Sequence, residues 1–276
     1  MLVPAKNMHE WHGVTVSDAL QWHGMDFVDT HCHIHDGEYM LPQTDVIARA
    51  DAAGVTRLIC VGTDEATSVQ AVAFAQNRER VWASIGLHPH DAKLGDAAYS
   101  AIARLLPNNK VVAIGECGLD YFYNHSDKKD QFRALEYQMQ LALDNTLPMI
   151  FHVRDAFEDF WPIFDNFKGL RGVIHSFTAT TTELEQSLVR GLYIGLNGIM
   201  TFTKDEKQLA AARAVPLDKL LLETDAPFLT PAPLRGKVNE PKNVSITADF
   251  LANLRGERLQ DLATATTHNA RHLFGL

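Results

Sequence analysis

Cysteine, long apolar runs and basic charge are scarce in this sequence, and each scarcity argues against a class of protein. The 276 residues include three cysteines, Cys32, Cys60 and Cys117, which are far apart and lie in or beside apolar stretches. An odd number of dispersed cysteines predicts reduced, packed thiols and a cytoplasmic location. No stretch reaches the roughly 18 apolar residues that a membrane span needs, and no basic segment precedes an apolar one at the N-terminus. Neither a membrane protein nor a secreted one is therefore indicated.

Acidic residues outnumber basic ones. The chain has 34 Asp and Glu against 25 Lys and Arg, which gives a formal net charge of -9. Such a chain is not expected to coat nucleic acid or an anionic membrane through a broad basic face. An anionic substrate would have to be bound locally, and no feature indicates an obligate protein partner.

Short apolar runs alternate with helical patterns along the chain. The runs, rich in Val, Ile and Leu, begin near Phe27, Val55, Val81, Val111, Pro148, Gly172, Leu192 and Lys219. Apolar residues at three- and four-residue spacing predict helices over residues 45–53, 65–76, 128–143, 183–189, 246–254 and 259–273. A strand followed by a helix, eight times over, predicts an α/β fold formed by a single (β/α)8 TIM barrel.

The barrel is expected to occupy residues 26–276 as one domain, with residues 1–25 as an N-terminal extension. A chain of 276 residues, 46% of them hydrophobic, can bury a full barrel core. The extension holds His9, His12 and His23, but none is expected to bind metal, because no carboxylate or cysteine stands at ligand spacing. Residues 230–243, with three prolines and a glycine, predict an irregular loop over the barrel mouth.

Five of the apolar runs end on side chains that commonly bind metal ions. These side chains are His31 and His33, Glu116, His152, His175 and Asp225. The carboxyl ends of barrel strands meet at one rim, so we expect the six to lie together. Residues two apart on a strand share a face, which predicts that His31, His33 and Glu116 point into the barrel. Cys32 and Cys117 are then expected to face the surrounding helices.

This cluster indicates two divalent metal ions. A lone histidine at a strand end is most often a core residue, but several desolvated imidazoles and carboxylates would stay unpaired unless an ion bridged them. Four histidines and two carboxylates exceed the three protein ligands of a typical mononuclear catalytic zinc site, and a bridging carboxylate would let two ions share the cluster. Ligand softness favours Zn, Mn or Co, with Mg as an alternative at a weaker position.

A metal pair would also explain how an acidic chain could bind an anionic substrate. With Glu116 and Asp225 ionised, two divalent ions leave a charge of about +2 by formal counting. A phosphodiester would be attracted to this mouth, with help from nearby cations, for which the candidates are Lys128, Arg154, Arg235 and Lys237. Four aromatic residues could stack on an unpaired base or equally pack under loops, namely Tyr121, Phe122, Tyr123 and Phe202.

Several motifs resemble those of the TatD family of metal-dependent hydrolases. They are His31-Cys32-His33, Gly86-Leu87-His88-Pro89-His90, Gly115-Glu116-Cys117-Gly118-Leu119-Asp120, His175-Ser176-Phe177 and Glu223-Thr224-Asp225-Ala226-Pro227. The likeness extends from about Asp26 to the end of the chain. It includes Arg235-Gly236-Lys237 and Asn239-Glu240-Pro241 after the last strand.

The resemblance implies a barrel nuclease that hydrolyses phosphodiester bonds in DNA, often as a 3′-5′ exonuclease on single-stranded ends. It assigns His31, His33 and Asp225 to one ion, His152 and His175 to the second, and Glu116 to the bridge. His88 matches a family position near the scissile phosphate. Two positions depart from the family pattern: His35 replaces a frequent acidic residue, and Leu234 replaces a histidine. We expect a turn at His35 rather than another ligand.

The hypothesis for the reaction is that two ions activate a water molecule and neutralise charge on the phosphate, with Asp225 as candidate general base. One alternative is a dinuclear amidohydrolase or lactonase acting on a C-N or C-O bond. Enzymes of that kind often bridge their metals with a carbamylated lysine at the fourth strand's carboxyl end, where this chain has Glu116, and Lys110 is expected at the opposite end. The other alternative is a non-catalytic relative that binds nucleic acid or stores metal, which would need closed metal sites.

Overall fold

A nearly closed barrel of eight parallel strands forms the centre of the molecule. The computed structural model describes Trp22 and residues 24–276. The strands are β1 (Phe27–Cys32), β2 (Val55–Val61), β3 (Val81–Ile85), β4 (Val111–Asp120), β5 (Met149–Arg154), β6 (Gly172–Ile174), β7 (Tyr193–Leu196) and β8 (Leu220–Leu222). Each strand pairs in parallel with the next one along the chain. The segment after β8 meets β1, since the Asp225 N–H donates to the His31 carbonyl (2.8 Å). The predicted fold is confirmed.

Helices follow the strands and surround the barrel. They are α1 (Gln43–Ala52), α2 (Glu65–Gln76), α3 (Gly95–Ala103), α4 (Lys128–Asn145), α5 (Phe157–Phe164), α6 (Thr181–Val189), α7 (Glu206–Ala214), α8 (Val244–Arg255) and α9 (Leu259–Phe274). Their ends follow local chemistry. Asp64 accepts a hydrogen bond from the Thr67 N–H at the start of α2, and Gly256 ends α8 at φ 68°. Among the helices of the described residues, none has the length and apolar character to cross a membrane.

The predicted N-terminal extension lies almost wholly outside the described residues, as do His9, His12 and His23. Of that segment, Trp22 is buried and its carbonyl accepts a hydrogen bond from the Met25 N–H (3.0 Å). The predicted loop over residues 230–243 contains a single short 3₁₀ turn at Pro241–Asn243.

Apolar side chains fill the barrel at the end where the strands begin, which leaves the opposite end for polar groups. Val28, Ile59, Ile150 and Leu221 pack inside the barrel, and residues of α9, including Phe274, close its base. The layer between the sheet and the helices contains the thiols Cys32, Cys60 and Cys117, which are buried and free. The prediction that Cys32 and Cys117 face the helices is therefore confirmed.

Two interruptions of strand pairing aim polar side chains into the barrel. Val28 points into the barrel, yet Cys32, four residues later, points outward, because the β1–β2 register shifts between Asp29 and Cys32. The β4–β5 register shifts in the same way between Ile114 and Cys117. Such bulges change which face a side chain occupies and are common beside functional sites. They determine the direction of His31 and Glu116.

Candidate metal centre

The six side chains expected at one rim do lie together there. His31 lies near the end of β1, and His33 follows that strand. Glu116 lies on β4 and His152 on β5. The other two follow their strands directly, and these are His175 after β6 and Asp225 after β8. His31, Glu116 and His175 are buried, and the other three are largely so.

Glu116 divides the site into two halves. Its Oε2 lies 3.3 Å from Nε2 of His31 and 4.0 Å from Nε2 of His33. Its Oε1 lies 2.8 Å from Nδ1 of His152 and 3.5 Å from Nε2 of His175. The two carboxylate oxygens therefore face different imidazoles, as those of a carboxylate between two ions would.

Asp225 belongs to the half of the site around His31 and His33. Its Oδ1 lies 3.2 Å from Nε2 of His33 and 3.6 Å from Nε2 of His31. The backbone of Asp225 has φ 58°, in the left-handed region that non-glycine residues seldom occupy. Ser176, immediately after His175, is also left-handed, at φ 49°. Strained backbone of this kind concentrates at functional sites, so both turns are consistent with a site held in a defined shape.

The donor atoms fit divalent metal ions. The Nε2 atoms of His31 and His33 are 3.1 Å apart, so at most one proton fits between them and a second nitrogen is left with a lone pair. The ligand atoms of His31, His33 and Glu116 lie within 4.8 Å of one another, as do those of His31, His175 and Asp225. Neutral imidazole nitrogens with carboxylate oxygens are a donor set that suits Zn, Mn and Co.

His88 joins the second half of the site. Its Nε2 lies 3.4 Å from Oε1 of Glu116, and its ring centroid lies 4.5 Å from that of His152. His88, Glu116 and His152 form a third group of converging ligand atoms. The family resemblance suggests a place near the scissile phosphate, and the structure puts His88 as close to Glu116 as His175 is.

Two carboxylates that the sequence analysis missed hold the outer nitrogens of these imidazoles. Oδ2 of Asp120 lies 2.9 Å from Nε2 of His152, and Oε1 of Glu223 lies 3.1 Å from Nδ1 of His175. Both carboxylates are buried. Contacts of this kind orient imidazoles that bind metals and raise their basicity. The sequence did contain a signal for both. Asp120 lies four residues after Glu116 on β4 and Glu223 two residues before Asp225, spacings that predict a shared face.

Charge within the cluster keeps Glu116 ionised. Burial would raise the pKa of Glu116, but the imidazoles of His175 and His88 hold it well below its usual value. Burial would likewise lower the pKa of His175, but the carboxylates of Glu223 and Glu116 raise it to about 10. The pKa of His31 is lowered by burial and by the neighbouring His175. In the absence of metal, the cluster therefore carries protons on some imidazoles and not on others.

A buried aspartate on β1, Asp29, connects that strand to the segment that follows β8. Asp29 accepts hydrogen bonds from the Thr224 N–H (2.9 Å), the Thr224 hydroxyl (2.6 Å) and the His31 N–H (3.3 Å). Burial raises the pKa of Asp29 to about 8, although these donors oppose the change. Asp29 thereby positions the backbone beside both His31 and Asp225.

The predicted phosphate-binding cations differ in how free they are. Lys128 is paired with Asp159 (3.0 Å), and Arg235 donates to the Thr230 carbonyl (3.0 Å) with its guanidinium on the ring of Phe202. Lys237 is exposed on the loop after β8. Arg154, two residues beyond His152, is half-buried at the mouth.

The predicted aromatic residues also separate into two kinds. Tyr121 and Phe202 are half-buried, and the Tyr121 hydroxyl donates to Asp159 (2.6 Å). Phe122 and Tyr123 are 55% and 46% exposed. Of the two interpretations of these aromatics, packing under loops does not apply to Phe122 and Tyr123.

His35 lies in a turn, as expected, and outside every ligand group of the described residues. It is 4% exposed, and its ring centroid lies 6.2 Å from that of His33. Lys110 is at the far end of β4, where its Nζ donates to carbonyls that include that of Arg78 (2.6 Å). No lysine bridge of the amidohydrolase kind can therefore come from Lys110.

Comparison with known proteins gives consistent matches along the barrel. A family profile described as TatD related DNase matches residues 28–275. A protein of Bacillus subtilis named "Uncharacterized metal-dependent hydrolase YabD" is 37% identical over 249 residues, covering 89% of this chain and 98% of that protein. A protein of Citrobacter rodentium named "3'-5' ssDNA/RNA exonuclease TatD" is 39% identical over 259 residues, covering 90% of this chain and 97% of that protein.

Solved structures also match along the barrel. The crystal structure of YJJV, a TatD homologue from Escherichia coli, superposes with a TM-score of 0.85 at 29% identity, covering 91% of this chain and 98% of that one. A TatD family hydrolase from Entamoeba histolytica superposes with a TM-score of 0.80 at 23% identity, which supports the fold.

Proposed function

This chain belongs to the family of TatD-related DNases and is a metal-dependent hydrolase, and we propose that it removes nucleotides from single-stranded 3′ ends of DNA with two divalent metal ions. The observation that carries the proposal is the position of Glu116, whose two carboxylate oxygens face different imidazoles. A site for one ion would not need a carboxylate placed between two sets of donors.

The proposed ligands follow from that position. His31, His33 and Asp225 would hold one ion, His152 and His175 would hold the other, and Glu116 would contribute to both. The second ion would then have three protein groups, which leaves a position for water or substrate. The first ion would have four, so an open position there requires an ion that accepts five or six ligands, such as Mn or Mg. Open positions are what separates this proposal from a protein that only stores metal.

Asp225 is proposed to accept a proton as well as to bind an ion, and three further residues are proposed to bind substrate. When bound, the ions would lower the pKa of a bound water and neutralise charge on the phosphate. Asp225 is the proposed proton acceptor, because the imidazole of His33 keeps its pKa low despite burial and the carboxylate is therefore ionised. His88, Arg154 and Arg235 are proposed to contact the phosphates, His88 because it stands beside Glu116.

The substrate class rests on charge and on the relatives. A centre of two divalent ions and two carboxylates has a charge of about +2 by formal counting, which would attract a phosphodiester to a chain whose net charge is -9. The single-strand preference is supported by the name of the Citrobacter relative. The free, buried thiols support a reducing compartment, the cytoplasm. We also propose that residues 26–276 form the catalytic barrel, with residues 1–25 as an extension of it.

End-labelled DNA tests the proposal. Protein stripped with a chelator is supplied separately with Mg, Mn, Co or Zn, and single-stranded DNA labelled at either end is followed over time. The 5′ label should give a ladder that shortens one nucleotide at a time, and the 3′ label should be released at once as a mononucleotide. Stripped protein should be inactive. The proposal would be contradicted if no metal restored DNA digestion, or if the chelator-stripped protein digested DNA as fast as the metal-loaded protein.

A further inference from the structure

An exposed pair of aromatic rings, Phe122 and Tyr123, lies next to the candidate metal centre and beside the guanidinium of Arg154. Cζ of Arg154 lies 3.9 Å from the centroid of the Phe122 ring and 4.8 Å from that of Tyr123. Within the described part of the chain, no carboxylate pairs with Arg154, whereas Lys128, on the same side of the mouth, is neutralised by Asp159. A guanidinium beside aromatic rings uses no N–H donor on a carboxylate there, so these donors are available to an anion.

The position of this pair suits a nucleotide beside the reacting phosphate. Arg154 is two residues beyond His152 on β5, so the two side chains share a face and are separated by roughly 6–7 Å along the strand. On the other side, the ring of Tyr123 lies 5.5 Å from that of His90, which lies 4.3 Å from His88. The aromatic pair is thus about two side chains away from Glu116.

Asp120 fixes the distance between the rings and the metal centre. Its Oδ1 accepts hydrogen bonds from the N–H groups of Phe122 and Tyr123, both at 2.9 Å. Its Oδ2 lies 2.9 Å from Nε2 of His152 and 3.1 Å from Nε2 of His90. One buried carboxylate therefore holds both a metal-site imidazole and the loop that carries the rings, so the loop does not have to be ordered when substrate binds.

We propose that Phe122, Tyr123 and Arg154 form a subsite for an unpaired nucleobase and its adjoining phosphate, next to the bond that is cut. The base stacks on the exposed face of Phe122, whose ring is nearly perpendicular to that of Tyr123, and the guanidinium binds the phosphate. This inference rests on the proposed function and adds the reason for a single-strand preference, since a base can turn onto the rings only when it is unpaired. Phosphate binding by Arg154 adds one local positive contact to a chain whose net charge is -9.

Removing the base from the substrate tests the subsite. Metal-loaded protein is given single-stranded oligonucleotides whose last two nucleotides are either normal or abasic. Stacking on one aromatic side chain is worth a factor of about 5 to 150, so kcat/KM on the abasic end should fall by that factor. In Phe122→Leu, kcat/KM on the normal end should fall similarly, with no change on the abasic end. Phe122→Tyr, which keeps a ring, should restore most of the rate.

The phosphate contact has a separate readout. In Arg154→Gln, the slope of log kcat/KM against log salt concentration should become shallower by about 0.7, the value for one lost contact with a single strand. An unchanged slope would overturn the role of Arg154.

The outcomes separate this inference from the proposed function. Methyl 4-nitrophenyl phosphate, a phosphodiester without a base, reports hydrolysis alone through the release of nitrophenol. If the protein hydrolyses it and also digests normal and abasic ends at equal rates, the subsite is overturned and the hydrolase function is retained. An equal loss on both ends in Phe122→Leu would also overturn the subsite, because the ring would then serve only the fold. No hydrolysis of any of these phosphodiesters would overturn both proposals.

Discussion

Asp120 and His152 are joined through the ring nitrogen that faces away from the candidate metal centre. Oδ2 of Asp120 lies 2.9 Å from Nε2 of His152, while Nδ1 of the same ring lies 2.8 Å from Oε1 of Glu116. The imidazole is held at both nitrogens, which determines its orientation and the tautomer it must adopt when it binds metal. The first prediction follows from this contact.

In Asp120→Asn, the affinity for one of the two metal ions should fall by about 10- to 100-fold, the usual cost of losing a carboxylate behind a metal-bound imidazole. The ion between His31 and His33 should be retained, because Asp120 contacts neither residue. Titration against a chromophoric chelator measures both affinities. Asp159→Asn is the matched control, since Asp159 bonds to Tyr121 and Lys128 and touches no metal-site imidazole. Two unchanged affinities in Asp120→Asn would rule out the positioning role.

Glu116→Gln should reduce the metal content from two ions per chain to one or none. A carboxamide offers one oxygen, so only one half of the site keeps its donor, and the amide N–H₂ faces the other half. Activity on single-stranded DNA should fall by more than about 100-fold, the upper limit for a group that only supports a ligand. Elemental analysis of the dialysed variant gives the metal content, with Glu136→Gln on the exposed face of α4 as the control. Two ions per chain in Glu116→Gln would contradict the bridge.

Asp225→Asn should keep the fold and lose the reaction. The carboxamide has nearly the same shape, but it cannot accept the proton that the proposed mechanism transfers, and such transfers contribute about 10²- to 10⁴-fold to rates. Single-turnover digestion at saturating metal separates this loss from weaker metal binding. Asp144→Asn, an exposed position near the end of α4, serves as the control. Full activity in Asp225→Asn would refute the assigned role.

Metal binding near neutral pH should release protons. Burial would lower the pKa of His175, but Glu223 and Glu116 raise it to about 10, so this imidazole is protonated at neutral pH in the absence of metal. An imidazole must lose its proton to bind an ion. The apparent metal affinity should therefore rise about tenfold per pH unit for each proton released, up to the pKa of His175.

Calorimetry in buffers of different ionisation enthalpy counts the protons directly. At least one proton per chain is expected at about pH 7. Glu223→Gln should lower that number, because the carboxylate that raises the pKa of His175 is gone. A count of zero in the unmodified protein would show that His175 is already neutral.

Most of the fold could be predicted from the local pattern of apolar residues. Apolar runs predicted the eight strands, with observed starts within one residue of the predicted ones, and three- and four-residue spacing predicted helices such as Glu65–Gln76. Only the structure gave the bounds of three helices, Gly95–Ala103, Phe157–Phe164 and Glu206–Ala214. Their apolar patterns are short, and the second contains Pro162.

The sequence by itself determined which residues could form a metal centre and where along each strand they stand, since strand alternation and strand ends are local properties of the chain. The sequence also predicted that His31 and Glu116 face the barrel, but only the tertiary structure showed that register shifts produce that direction. The register shifts in β1 and β4 turn His31 and Glu116 into the barrel, and they arise from pairing with a neighbouring strand rather than from either strand alone. The contact of Asp120 with His152 joins residues 32 positions apart through the pairing of β4 with β5, and the contact of Glu223 with His175 joins residues 48 positions apart across β7.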